Sequence, residues 1–85
     1  MAKPSDWDTL SNSKKEATVR KMGHQRIQFL INQAREITGI DVSVMDKPRL
    51  IDTFRAAIGT LQMKDRPDIS NIEDMEMMLE YLQLG

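Results

Sequence analysis

The sequence predicts an all-α fold, a compact three-helix bundle, and three observations carry that prediction. Apolar residues recur at intervals of three and four along most of the chain, the period of one helix face. Start and stop residues of the helical type bracket three such stretches. Alternation of the strand type occurs once only, and one strand has nothing to pair with in a single chain.

The first predicted helix spans 14–38. Ser13-Lys14-Lys15-Glu16 reads as a capping box, in which serine and glutamate satisfy each other's exposed backbone donors. Val19, Ile27, Leu30, Ala34 and Ile37 form one stripe, with Ile31 at its margin. Gly39 suits the left-handed position just past a helix end. The second helix, 47–64, starts after Asp46 and tolerates Pro48 in its first turn, where the missing N–H has no partner to lose. Leu50, Ile51, Phe54, Ala57, Ile58 and Leu61 make its core face, and burial is expected for Leu50, Phe54, Ile58 and Leu61. Arg66-Pro67 then interrupts the pattern. The third helix, 71–83, opens on a second capping box, Ser70-Asn71-Ile72-Glu73, with Asp74 and Glu76 near its positive end.

Between the first two helices Ile40, Val42 and Val44 alternate with polar residues, so 40–45 is read as an extended connector. Residues 1–12 are read as an N-terminal arm with a short turn in which Trp7 and Leu10 cover a helix. Residues 13–85 form the single helical domain. Connections of this length suit antiparallel neighbours in a bundle.

Composition narrows the function classes. The 85 residues contain no cysteine, which removes disulfide staples, thiolate metal sites and cysteine nucleophiles. Secreted domains this small usually rely on such staples. The opening residues carry Asp6 and Asp8 and no apolar run of the signal type, and no stretch approaches the ~20 apolar residues of a membrane span. These features predict a cytoplasmic protein without a membrane partner. Chemistry is equally sparse. His24 is the single histidine, with Arg20, Lys21 and Gln28 at helical distance and no carboxylate to hold it as a base. The glycines stand singly, so no loop resembles a phosphate cradle. Asp65, Asp68, Glu73 and Asp74 lack the spacing of a calcium loop. The expectation is a non-enzyme with no metal and no cofactor.

Two surfaces stand out. On a continuous first helix, Lys14, Lys21, His24, Gln25, Gln28, Asn32 and Arg35 share about a third of the circumference. Such a ridge suits phosphates and base edges, or an acidic partner. The formal net charge of −1 hides an asymmetry that fits this: residues 1–37 carry seven bases and four acids, whereas residues 38–85 carry five and nine. A helix-turn-helix reading fares worse, because after Arg66 there are five acids and no base, a combination that phosphates would repel.

The second surface is apolar. Ile72, Met75, Leu79 and Leu82 supply a core face for the third helix, yet Met77, Tyr81 and Leu84 lie on another side, with Met78 between. A terminal helix in a small monomer does not need two apolar faces. Seven methionines supply adaptable packing of the kind found at binding surfaces. The sequence therefore predicts a small helical interaction protein of the adaptor, inhibitor or assembly-factor type, as in phage or plasmid regulators. Its partner is another protein or a second copy of itself, bound through Met77, Met78, Tyr81 and Leu84, with Glu76 and Glu80 setting orientation. The alternative is a nucleic-acid-binding regulator that uses Lys14, Lys21, His24, Gln28 and Arg35.

Overall fold

A computed structural model describes residues 3–41 and 46–84. Among them the chain is entirely helical: a 3₁₀ turn at Trp7–Thr9, then α1 (Asn12–Lys21), α2 (His24–Thr38), α3 (Lys47–Gln62) and α4 (Ile69–Leu84). The all-α class is as predicted, but there are four α-helices and not three. Of the predicted connector, residues 42–45 lie outside the described part, and Ile40 packs half-buried against the core.

The extra helix arises at Gly23. Its φ of 86° and ψ of 155° belong to a region essentially reserved for glycine, so the predicted 14–38 helix is broken there. α1 ends with the Met22 N–H donating to Val19 and the Gly23 N–H to Arg20. α2 then starts afresh without a side-chain cap.

The caps also differ from expectation. Ser11, not Ser13, accepts from the Lys14 N–H at 3.3 Å, and Glu16 turns to Arg20 one turn on. At α4, Asp68 accepts from the Asn71 N–H at 3.2 Å, so the helix starts two residues earlier than the Ser70 box implied. Glu73 is drawn away from that box by the backbone N–H of Lys3, 2.9 Å distant. The helix ends predicted at Gly39 and Asp46 hold. Gly39 adopts φ 69° and donates to Arg35, and Asp46 accepts from the Arg49 N–H.

α4 sits at the centre. It contacts α3 most extensively, and α1 and α2 as well. The two apolar faces of α4 are thus both used inside the chain, as expected for a helix that is apolar all round. The core joins Leu30, Ile31 and Ala34 of α2, Leu50, Phe54, Ala57, Ile58 and Leu61 of α3, and Ile72, Met75, Met77 and Met78 of α4. Val19 of α1 and Trp7 of the arm complete it. Ile31 is buried and not marginal, whereas Leu79 and Leu82 are only partly covered.

Candidate protein-interaction surface

The arm decides what α4 shows to solvent. Trp7 is 1 % exposed, and its indole N–H donates to the Glu80 carboxylate. The Lys15 ammonium of α1 donates to the same carboxylate and lies 5.6 Å from the centre of the indole ring. Further back along α4, Lys3 touches Glu73 through its backbone and Glu76 through its ammonium, at 3.6 Å. The arm is therefore tied to α4 at residues 73, 76 and 80, which follow one another along one helix stripe. Met77 falls between those ties and is fully buried, as is nearly all of Met78.

This corrects the expected apolar face. Met77 and Met78 belong to the chain's own core, in one buried cluster with Trp7 of the arm and Val19 of α1. Tyr81 and Leu84 keep partial exposure. They line an open notch of about 160 Å³ with Glu16 of α1 and Lys47 of α3. Glu76 pairs with Lys3 of the arm, and Glu80 with Trp7 of the arm and Lys15 of α1.

The Lys15 and Trp7 hydrogen bonds hold the Glu80 carboxyl below its ordinary pKa, against the opposing effect of its burial. A depressed folded-state pKa means stabilisation that is complete above the unfolded value of about 4.3 and lost as pH falls through the folded one. Glu80→Gln should accordingly weaken the fold near neutral pH, and the gap from wild type should narrow in urea melts as the pH falls below about 4. A gap independent of pH would detach Glu80 from the arm.

The basic ridge is also rearranged. Lys14 and Lys21 lie on α1, and His24, Gln28 and Arg35 on α2, so the Gly23 break separates what the wheel placed in one row. Lys14, Lys21 and His24 are exposed. Gln28 donates to Asn32 at 3.2 Å, and Arg35 pairs with Asp41 at 2.7 Å. Arg35 and Asp41 also rim an open concavity of about 550 Å³ with Asn32, Glu36, Gly39 and Ile40.

Sequence reasoning missed a polar cluster. Arg26 donates to one oxygen of Asp74 through both Nε and Nη2, at 3.0 and 2.8 Å, and to Asn71 at 2.6 Å. Asp74 is fully buried, although its place near a helix start made it look like a solvated charge. No spacing signal links residues 48 positions apart. Outside the core, Phe29, Met63 and Ile69 are the large apolar side chains left exposed among the described residues, with the Arg26 guanidinium 5.3 Å from the Phe29 ring centre.

Among the described residues no three histidine, cysteine or acidic side chains converge on a metal position, and no helix is long and apolar enough to cross a membrane. No family model, curated protein or solved structure matches the chain.

Proposed function

We propose that this chain is a small non-enzymatic protein–protein interaction module of the adaptor, inhibitor or assembly-factor type, whose contact surface is the C-terminal end of α4. One observation carries the reading: Tyr81 and Leu84 are partly open to solvent beside a notch, just past the buried stretch Met75, Met77 and Met78 of the same helix. Tyrosine suits such a place, since its ring packs against a partner while its hydroxyl keeps a hydrogen bond. Glu16 and Lys47 at the rim place charges of both signs beside the apolar centre, the usual division between contact energy and orientation.

Tyr81→Ser with Leu84→Gln should remove partner capture from an extract of the native host while circular dichroism stays helical. Capture is expected to fall at least tenfold, the scale of losing one anchor of roughly 1.4 kcal/mol or more. Identical captured proteins for both chains would place the interface elsewhere. Retention of DNA or RNA at low salt, falling steeply as salt rises, would replace this reading with a phosphate-binding one.

A further inference from the structure

The segment 12–38 carries two incompatible descriptions, and both are physical. Its residue pattern is that of one helix: the stripe runs from Val19 to Ile37 without a phase shift large enough to end it, and a stop residue comes only at Gly39. The structure instead folds it into α1 and α2 about Gly23, at a backbone conformation only glycine adopts readily. Nothing crowds that glycine: a Cβ built there meets no atom within 4 Å. The bend is therefore held by what it brings together and not by local packing at the bend.

What it brings together is narrow. The main neighbour of α1 is α4. The ties from the arm and α1 to the rest of the fold converge on the same helix, with Lys3 at Glu73 and Glu76, and Trp7 and Lys15 at Glu80. Arm and α1 thus form one detachable unit, hinged at a single residue and seated on a single helix. If Gly23 straightens, Asn12–Thr38 becomes one helix of about 40 Å at 1.5 Å per residue, and the unit leaves its seat. The vacated face, centred on Met77, would be apolar and complementary to one thing above all: the same unit from another molecule.

We infer that this chain forms a dimer by exchange of its N-terminal unit, residues 3–22, across a straightened Gly23 hinge. The occupant of the α4 seat is a second copy of this chain. Each copy then supplies Trp7 and Lys15 to the other's Glu80, so every tie of the monomer is remade. The exchange is reciprocal and closes as a twofold assembly. It goes beyond the Tyr81 and Leu84 surface, with which the exchanged unit shares Glu16 alone.

The decisive variant is Gly23→Ala. Alanine is strained in the bent form and is a better helix former than glycine, which together favour the straight form by on the order of a hundredfold per chain. Two chains straighten per dimer, so the dimer dissociation constant should fall on the order of ten-thousandfold. Chains labelled with light and heavy nitrogen are mixed in equal amounts, unfolded in denaturant and refolded together. A zero-length carbodiimide then joins the Lys15 amine to the Glu80 carboxylate where the two touch. The expected result is a dimer mass by light scattering, with cross-linked peptides carrying one light and one heavy partner. Gly39→Ala, strained at a positive φ outside the hinge, should show no more dimer and no more mixed pairs than the wild type at the same concentration. A monomeric Gly23→Ala at millimolar concentration, or a dimer with only unmixed pairs, overturns the inference. If that variant shows no helical spectrum, the wild type refolded at millimolar concentration decides. A dimer fraction with mixed pairs supports exchange, and unmixed pairs throughout refute it.

Discussion

Trp7→Ala is expected to remove about 3–5 kcal/mol of stability, the range for truncating a large buried aromatic side chain. Trp7 is among the largest fully buried side chains, and its loss opens a void in the core while leaving Glu80 without its indole donor. A domain of this size has only about 5–15 kcal/mol in all. The variant should therefore be partly unfolded at physiological temperature. Because the chain has one tryptophan, the melt must be followed by far-ultraviolet circular dichroism and not by fluorescence. Trp7→Phe should fall between, keeping much of the packing and losing the hydrogen bond. A loss below about 1 kcal/mol for Trp7→Ala, within the range of ordinary surface changes, would mean that the arm is not seated on α4 in solution.

The second large effect is expected at Arg26. Its guanidinium holds Asp74, which has no exposure to solvent, and also Asn71. Removing one member of such a buried pair typically costs about 3–5 kcal/mol, whereas replacing both with apolar residues of similar volume is often close to neutral. Arg26→Ala should thus be strongly destabilising. Arg26→Met combined with Asp74→Leu should recover much of the loss, giving a coupling well beyond the ~0.5 kcal/mol scatter of independent sites. Additive losses in urea melts would show that the pair acts through packing alone. This contact ties the start of α2 to the start of α4, so the same cycle tests how firmly α2 is seated.

The helices themselves were legible from residue spacing. α3 was placed within two residues at its end, because Asp46, Pro48 and a six-residue apolar face all point the same way. The left-handed Gly39 was equally plain, since a glycine after the last periodic residue has few other uses. The caps of α1 and α4 were not. Each start offers several serines and aspartates within a few residues, and local sequence ranks them almost equally. Ser11 and Asp68 were selected once Glu16 and Glu73 had found other partners.

By itself, the sequence determined the helical class, the extent of α3, the stop at Gly39 and the surplus of apolar surface on α4. These follow from periodicity and backbone preference, which act over a few residues. Only the tertiary structure decided what that surplus is for. A mid-pattern glycine is compatible with a continuous helix at a cost of about 1 kcal/mol or with a sharp bend, and nothing nearby in the chain distinguishes them. The bend is adopted because it packs α1 against α4 and closes Val19 and Trp7 into one buried cluster with Met77 and Met78, and that burial outweighs the helical turn it interrupts. The same long-range closure joins Trp7 to Glu80 and Arg26 to Asp74. Each of those contacts bridges dozens of residues, and no periodicity within one helix can announce a partner on another.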